Sequence, residues 1–217
     1  MGSIMKFGFT ALAAIAIALG GVAVAKDAGV NAATGEAYRL RMFHTHTGES
    51  IDVVYRIGDT YLPDGLAKLN QFLRDHRTQT VSEYDPKEFD TLHALMEKLG
   101  KPNGEIDIIC GYRTPWSNNL LRSRSSSSGV AQHSQHMLAK AIDIRVPGVS
   151  TTALRDAALS LHAGGVGYYP VNQFVHVDVG PVRQWQYGHG AGEVPARSVA
   201  KSTKRGPHHA ATAAAGE

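Results

Sequence analysis

Cysteine is nearly absent from this chain of 217 residues, in which Cys110 is the single example. One cysteine cannot form a disulfide within the chain, so the fold has to rest on a hydrophobic core, a bound metal ion, or both. Cys110 follows an apolar run, residues 106–109, and this position favours a buried, unreactive thiol over a nucleophile. A scaffold held together by internal disulfides is therefore excluded.

The chain also lacks a basic stripe interleaved with aromatic residues, which is typical of surfaces that bind nucleic acid. Its net charge is +3 and its sequence pI is about 9.0, but the basic residues are scattered along the chain. The densest group, Lys201, Lys204 and Arg205, lies near the C-terminus. We therefore expect solvated surface charge and no nucleic-acid partner.

Charged residues are missing from one long stretch, residues 7–25, which directly follows Lys6. A basic start, an apolar run and the small-x-small ending at Ala25 predict a secretory signal peptide over residues 1–25. The run is nearly long enough to span a bilayer, so an uncleaved N-terminal anchor is the alternative. In both cases we expect an exported, periplasmic protein that contacts the membrane only through this segment, if it is uncleaved.

The rest of the chain divides by composition into a linker, a folded domain and a tail. Residues 26–37 are small and polar, and residues 189–217 consist largely of Gly, Ala, His, Lys and Ser, which predicts disorder. Residues 38–188 form the predicted folded domain. We expect an α+β fold in which a small antiparallel sheet has helices packed on one side and a zinc cleft on the other.

Apolar periodicity and turn signals locate the elements of this domain. A β-hairpin is predicted from residues 40–43 and 51–55, and further strands from residues 105–110, 141–146, 166–169 and 174–179. Helices are predicted to begin at Pro63, at Pro86 with Asp85 as cap and Glu88 in the first turn, after Thr114, and at Thr151.

The segment from His133 to Asp143 contains two candidate metal ligands. His136 lies in a loop before a predicted strand, and Asp143 lies within that strand. The alternation of residues 141–146 places Asp143 on the polar face of the strand, towards a cleft.

A second predicted strand, residues 174–179, contains the third candidate ligand. Its period of two places His176 and Asp178 on the face opposite three valines. Together with His136 and Asp143, His176 would provide two imidazoles and one carboxylate, a set that suits one Zn²⁺ per chain and leaves a position for water. Asp178 would be the general base for that water, or an acceptor that orients a histidine.

Each of these patterns also has an ordinary structural explanation. His-x6-Asp and His-x-Asp are weak motifs when taken singly, and more often join unrelated polar residues. His133 is either a fourth ligand, a group that contacts a ligand, or an exposed loop histidine, and the last interpretation is preferred. His44 and His46 are interpreted as exposed residues of the hairpin turn. Arg113 either binds a substrate carboxylate or is an ordinary surface arginine. Three histidines of the tail are not expected to bind metal: His189, His208 and His209.

Taken in order, these motifs resemble those of a known enzyme family. Ser134-x-His136 through Ala141-x-Asp143 resembles the SxHxxGxAxD motif of the zinc D-Ala-D-Ala peptidase superfamily. The sequence Gly111-Tyr112-Arg113 is similar to the GYR that precedes this motif there. Three further features resemble, more narrowly, the murein endopeptidase K branch: GGVGYYP, FVHVDVG and the Arg183–Trp185 pair.

The resemblance covers residues 38–187 and implies a function. It implies zinc bound by His136, Asp143 and His176, and a substrate contact by Arg113. It also implies hydrolysis of peptide cross-links in peptidoglycan, with the stem peptides as the binding partner.

Two positions depart from the family pattern. The glycine of SxHxxGxAxD is replaced by Ala139 or by Lys140, depending on the alignment. Many members carry a glutamate as general base where this chain has Gln173, and others carry a histidine where it has Phe174. Because neither residue of this chain can accept a proton, the predicted general base is Asp178.

Two functions are compatible with the sequence. The first is an exported, zinc-dependent murein endopeptidase. The alternative is a non-catalytic peptidoglycan-binding module with a structural or vestigial zinc, which the missing glutamate favours. The sequence alone does not distinguish a D-Ala–diaminopimelate cross-link from a diaminopimelate–diaminopimelate cross-link as the bond that is cut.

Overall fold

The computed structural model describes residues 34–124 and 129–188 of the chain. The predicted signal peptide, residues 1–25, and the predicted tail, residues 189–217, lie outside the described residues. The same is true of residues 26–33 of the predicted linker. Within the described part, no helix has the length and apolar character needed to cross a membrane.

The described residues form a mixed α+β fold, as predicted. The strands are β1 (Ala37–His44), β2 (Ser50–Ile57), β3 (Thr60–Tyr61), β4 (Glu105–Cys110), β5 (Ala141–Arg145), β6 (Gly165–Tyr169), β7 (Phe174–Asp178) and β8 (Arg183–Gln186). The helices are α1 (Pro63–Phe72), α2 (Pro86–Lys98), α3 (Pro115–Ser123) and α4 (Thr151–Leu161). A short 3-10 helix, Gln135–Leu138, precedes β5.

These eight strands belong to one sheet with the order β3-β2-β1-β4-β5-β7-β6-β8. The β1–β4 and β6–β8 pairs are parallel, and the remaining pairs are antiparallel. The prediction of a small antiparallel sheet is therefore wrong in size, and wrong in the direction of two of the seven strand pairs. The connection between β1 and β4 contains α1 and α2, and a parallel pair requires a long connection of this kind.

Local sequence signals account for several element boundaries. The predicted hairpin is confirmed, because β1 and β2 pair antiparallel with Phe43 opposite Ser50. Helix α2 begins as predicted, and the Asp85 carboxylate accepts a hydrogen bond from the Lys87 amide. Glu88 does not complete a capping box, since its buried carboxyl has no hydrogen-bond partner. Burial raises the pKa of Glu88 well above its ordinary value and so favours the neutral carboxyl.

The central strands β5 and β7 present apolar residues on one face and polar residues on the other. Ile142 and Ile144 belong to the hydrophobic core together with the valines of β7. Asp143 and His176 are opposite each other in the antiparallel register. Because side chains alternate along paired strands, these two residues lie side by side on the face away from that core.

Two strands, β3 and β8, are absent from the sequence-based prediction. β3 has only two residues, and the sequence of β8, RQWQ, lacks the apolar alternation that indicates a strand. β8 pairs with β6 so that Gly165 is opposite Arg183 and Gly167 is opposite Trp185. This pairing brings Arg183 and Trp185 next to the polar residues of β7.

Candidate metal centre

His136 lies in the 3-10 helix before β5, and its side chain is almost fully buried. Its Nδ1 atom is 2.8 Å from the carbonyl oxygen of Gly111, which can only accept a hydrogen bond. The proton of the neutral ring is therefore on Nδ1. The unprotonated Nε2 atom faces Asp143 and His176.

His176 is oriented in the same manner by a carboxylate. Its Nε2 atom is 2.9 Å from Oδ2 of Asp178 and donates a hydrogen bond to it. In the neutral ring, Nδ1 is therefore unprotonated, and it lies 2.9 Å from Oδ1 of Asp143. Both histidines thus turn a free lone pair towards the same point, because an oxygen acceptor holds the proton of each ring on the other nitrogen.

The three predicted ligands are brought together in the structure. His136 Nε2 lies 3.2 Å from Asp143 Oδ1 and 3.1 Å from His176 Nδ1. Lone pairs at such separations repel each other unless a cation or a proton lies among them. Atoms bound to one zinc ion at roughly 2.0–2.2 Å are about 3.3–3.6 Å apart at a tetrahedral angle. The three side chains therefore fit a metal ion after a small expansion.

The charges around these atoms also suit a cation. Burial lowers the pKa of His136 to about 4, so its imidazole is neutral near pH 7. Burial acts to raise the pKa of Asp143, but the contacts with both imidazoles hold it well below its ordinary value. Burial acts to lower the pKa of His176, but the carboxylates of Asp143 and Asp178 outweigh burial and raise it. A bound cation would displace any proton from His176.

Asp178 lies behind His176, on the side away from the other two ligands. It is buried, and Oδ1 accepts hydrogen bonds from the amides of Gly165 and Gly180 at 3.1 and 2.8 Å. Arg183 donates to both of its oxygens, at 3.1 and 2.7 Å. Both oxygens are thus occupied. Of the two roles considered for Asp178, this geometry favours the acceptor that orients His176.

Two glycines of β6 leave room for this arrangement. A Cβ atom on Gly165 would lie 2.4 Å from Oδ2 of Asp178 and 2.5 Å from the Arg183 guanidinium. A Cβ atom on Gly167 would lie 2.5 Å from the ring of Trp185, which packs against His176 with 5.0 Å between ring centroids. The glycines of GGVG therefore allow the Asp178–Arg183 ion pair and Trp185 to approach β6 closely.

Cys110 lies beside the three proposed ligands. One ligand atom each from Cys110, His136 and Asp143 lie within 4.8 Å of one another. This separation is wider than the 2.9–3.2 Å between the atoms of His136, Asp143 and His176. Burial raises the pKa of Cys110 to about 11, so the thiol keeps its proton near neutral pH. The three closer residues are the better ligand set.

The backbone at Ala139 resolves one departure from the family motif. Ala139 ends the 3-10 helix with φ 50° and ψ 47°, the left-handed conformation that glycine adopts most readily. Ala139 therefore occupies the position of the motif's glycine, and Lys140 does not. The buried methyl group of Ala139 packs in the hydrophobic core, which offsets the strain of this conformation.

Of the two residues of the other departure, Gln173 lies outside the cleft and Phe174 lines it. Gln173 is exposed in the turn between β6 and β7, and its backbone carbonyl oxygen accepts a hydrogen bond from the Arg145 side chain. The neighbouring residues Asn172 and Phe174 line the cleft, whereas Gln173 borders a separate groove with Arg145. The residue at position 173 therefore does not face the candidate metal site in this chain.

Arg113 is not a surface residue, since only 6% of it is exposed. Its Nη2 atom lies 4.0 Å from Oδ2 of Asp143, and its Nη1 atom donates to the Asn118 side-chain oxygen at 3.1 Å. The Asn118 amide donates in turn to the carbonyl oxygen of Ala131 at 3.0 Å. Asn118 therefore joins Arg113 to a loop that borders the cleft, a role that no motif in the sequence indicates.

A cleft of about 210 Å³ lies against the three ligands. Tyr169 and Phe174 are stacked with 4.3 Å between their ring centroids, and the Trp185 Nε1–H donates to the Tyr169 hydroxyl at 3.0 Å. His133 is exposed, as predicted, and lines the cleft with Arg113. The cleft thus combines aromatic walls with a cationic side chain next to the metal-binding atoms, as ligand sites generally do.

The predicted exposure of His44 is wrong. His44 is fully buried, because its ring packs against Phe72 at the end of α1 and against His76 just beyond it. His46 is exposed, as predicted, and stacks on His76 with 4.4 Å between centroids. Within the described residues, the geometry of a metal-binding group occurs only around His136.

Comparisons with known proteins identify relatives of this chain. The profile of a family described as "Peptidoglycan L,D-endopeptidase MepK" matches residues 32–185. The chain is 42% identical to the peptidoglycan L,D-endopeptidase MepK of Escherichia coli (strain K12) over 171 residues, which cover 78% of this chain and 91% of the relative. The MepK of Shigella flexneri shows the same values.

A further relative comes from Haemophilus influenzae. Its protein is named "Probable peptidoglycan L,D-endopeptidase MepK" and is 42% identical over 147 residues, 68% of this chain and 78% of the relative. No solved structure gives a significant match. The matched range contains all three proposed ligands together with Arg113 and Asp178.

Proposed function

The chain belongs to the peptidoglycan L,D-endopeptidase MepK family, within the zinc D-Ala-D-Ala peptidase superfamily, and from this we propose which bond it cuts and how. It is a zinc metallopeptidase that hydrolyses peptide cross-links of peptidoglycan. The observation that carries this assignment is the convergence of two oriented histidines and one carboxylate at the wall of a cleft.

The names of the relatives specify the stereochemistry of the bond. An L,D-endopeptidase cuts an amide whose carbonyl belongs to an L centre and whose nitrogen is attached to a D centre. Of the two cross-links left open by the sequence, the one between two diaminopimelate residues contains such a bond, and the one formed by D-alanine does not. We therefore assign the diaminopimelate–diaminopimelate cross-link as the substrate.

His136, Asp143 and His176 would hold one zinc ion. When bound, zinc supplies a Lewis acid that polarises the scissile carbonyl and acidifies a water. The chain's own contribution is orientation: the Gly111 carbonyl and Asp178 keep both imidazoles in the tautomer that binds metal. Arg183 would keep Asp178 ionised for this purpose, because it pairs with both carboxylate oxygens.

The predicted general-base role of Asp178 remains a proposal beside this orienting role. The hydrogen bonds support orientation more strongly, because Asp178 contacts the ring nitrogen of His176 that faces away from Asp143. The two roles lead to different results for Asp178→Asn.

Arg113 would bind a carboxylate of the stem peptide. Its side chain is held beside Asp143 and Asn118, which prevents it from swinging away from the cleft. We expect Arg113→Lys to raise KM about tenfold with a smaller change in kcat, because lysine keeps the charge but loses the planar pair of donors. Steady-state kinetics on a soluble cross-linked dimer measure KM and kcat separately.

Arg122 provides the matched control for that variant, because it lies in the last turn of α3 and is not among the residues that line the cleft. Arg122→Lys should leave both constants unchanged. A loss in kcat at unchanged KM in Arg113→Lys would contradict a role in ground-state binding of the carboxylate.

The assignment as an enzyme is tested by metal removal. Zinc-loaded protein should cleave a diaminopimelate-linked dimer and leave a D-alanine-linked dimer intact. A chelator should reduce cleavage by at least about 10³-fold, because the Lewis acid contributes several kcal/mol, and added Zn²⁺ should restore it. Product formation is followed by chromatography and mass spectrometry.

The alternative function, a non-catalytic peptidoglycan-binding module, predicts another outcome of the same experiment. Such a module would bind the dimer with stoichiometric zinc and release no product. Cleavage of the D-alanine-linked dimer alone would instead contradict the assigned bond and leave the enzyme class intact.

We also propose export to the periplasm, which the substrate class of the relatives supports. The predicted signal peptide, residues 1–25, would direct this export.

A further inference from the structure

Large exposed apolar side chains are concentrated around the cleft. Of five such residues in the described part, Trp116, Leu138, Val171 and Val182 each expose between 59% and 62% of their surface. Each lies within three positions of a residue that lines the cleft, respectively Arg113, His136, Asn172 and Arg183. We call these four side chains the apolar rim.

Contacts between loops connect three members of the rim. The Arg113 amide donates to the His136 carbonyl oxygen at 3.2 Å, which ties the loop before Trp116 to the 3-10 helix that ends at Leu138. The Gln135 side chain lies 3.0 Å from the position that a Cβ atom on Gly180 would occupy, two residues before Val182. The 3-10 helix that ends at Leu138 therefore contacts the loop before Trp116 and lies close to the loop before Val182.

Val171 is the fourth member of the rim. It is in the turn between β6 and β7, close to Gly188. Asn172, the next residue, and Tyr169 line the cleft. The rim therefore also includes the turn between β6 and β7.

Nothing in the proposed chemistry of the peptide bond requires these four side chains. The metal ligands, Arg113 and the aromatic walls lie within the cleft, whereas the rim lies outside it in water. Isolated exposed apolar residues are ordinary, but a concentration of them beside a cleft indicates a binding surface.

We propose that the apolar rim binds the glycan strand from which the stem peptides branch. This inference rests on the proposed function, since it places the polymer that carries the cross-link next to the site that cuts it. Each cross-link is covalently attached through short peptides to two glycan strands, so a peptide held in the cleft brings sugar rings to its edge. The C–H faces and acetyl methyl groups of N-acetylated sugars are apolar and uncharged, and suit Trp116 and the three aliphatic side chains.

Two substrates separate the rim from the catalytic site. One is the intact peptidoglycan sacculus, and the other is a soluble diaminopimelate-linked peptide dimer without sugars. We expect zinc-loaded Trp116→Ala/Leu138→Ser/Val182→Ser to bind and digest sacculi about tenfold less well, because it loses the apolar contact with the glycan. Its kcat/KM on the sugar-free dimer should equal that of the unchanged protein.

Val81→Ser is the matched control, since Val81 is the fifth exposed apolar side chain and adjoins no cleft-lining residue in the sequence. It should behave as the unchanged protein on both substrates. The assignment would be overturned if the rim variant lost as much activity on the dimer as on sacculi. It would also be overturned if Val81→Ser lost as much activity on sacculi as the rim variant does. Unchanged sacculus binding together with lost binding to phospholipid vesicles would overturn it in favour of a lipid surface.

The same pair of substrates keeps the two proposals distinct. If the unchanged protein cuts neither substrate, the proposed function fails. If it cuts both and the rim variant does so equally well, only the rim assignment fails. Thermal unfolding of each variant shows whether a loss reflects a folding defect, and the single variant Trp116→Ala replaces the triple variant if that one unfolds.

Discussion

Replacing His176 with alanine should abolish stoichiometric zinc binding and lower kcat/KM on a cross-linked dimer by at least about 10³-fold. The variant removes one of three ligand atoms and leaves the orienting carboxylate of Asp178 facing an empty space. Only His136 and Asp143 would remain, and two ligands do not make a zinc site in the usual coordination. Elemental mass spectrometry measures the zinc content of the variant. Initial rates at saturating Zn²⁺ measure its kcat/KM.

His133→Ala is the control for this experiment, because His133 lines the same cleft on an exposed loop and is not one of the three ligands. It should keep one zinc per chain. Full activity in His176→Ala would remove this residue from the metal site and would contradict the assignment of the whole centre.

Asp178→Asn should weaken zinc binding and lower activity by about 10–100-fold each, the usual effect of removing the partner of a metal-binding histidine. The amide is nearly the same size as the carboxylate, but it cannot accept hydrogen bonds on both sides. Asparagine would therefore not preserve all the hydrogen bonds that the carboxylate accepts from Gly165, Gly180 and Arg183. The His176 ring would also lose the acceptor that fixes its tautomer. Zinc titration and kinetics at several zinc concentrations follow both effects.

The two roles of Asp178 differ in what excess zinc does. If Asp178 orients His176, raising the zinc concentration should recover much of the activity of Asp178→Asn. If Asp178 is the general base, the variant should keep its zinc and remain inactive at any zinc concentration. Asp156→Asn, an exposed substitution on α4, should change neither zinc affinity nor rate.

Much of the fold follows from local signals in the sequence. Strand β4 spans residues 105–110, as predicted, and α2 begins at Pro86 with Asp85 as its cap. The parallel β1–β4 pair was not predictable in the same way, because it depends on where two distant strands pair after a connection of 60 residues, from residue 45 to residue 104. Strand β8 was missed because RQWQ has no apolar face of its own and is a strand only when it pairs with β6.

Two of the proposed metal ligands, Asp143 and His176, could be proposed from the sequence because the period of two in β5 and β7 determines which side chains share a face. That period could not show that the Gly111 carbonyl and Asp178 fix the ring tautomers, since both contacts depend on three-dimensional packing. It also placed His176 and Asp178 on one face without showing that Asp178 stands behind His176.

The partners of Asp178 and Arg113 were not identified as such from the sequence. Arg183 is four residues from the nearest end of the predicted strand 174–179, and its role requires β8 to pair with β6. Asn118 is one polar residue in the middle of α3, and no periodic signal distinguishes it from its neighbours. Both residues act through contacts that no spacing rule describes.

The distribution of the proposed ligands over the 3-10 helix and the paired strands β5 and β7 has a consequence for the order of assembly. His136 and His176 are separated by 40 positions in the chain, and Asp143 meets His176 only through the register of β5 with β7. An unfolded chain therefore has no preformed site to capture the ion, and long-range pairing has to come first. A chain that is exported before it folds would cross the membrane without its ion and acquire it afterwards, so the availability of zinc outside the cytoplasm would determine when the protein becomes competent.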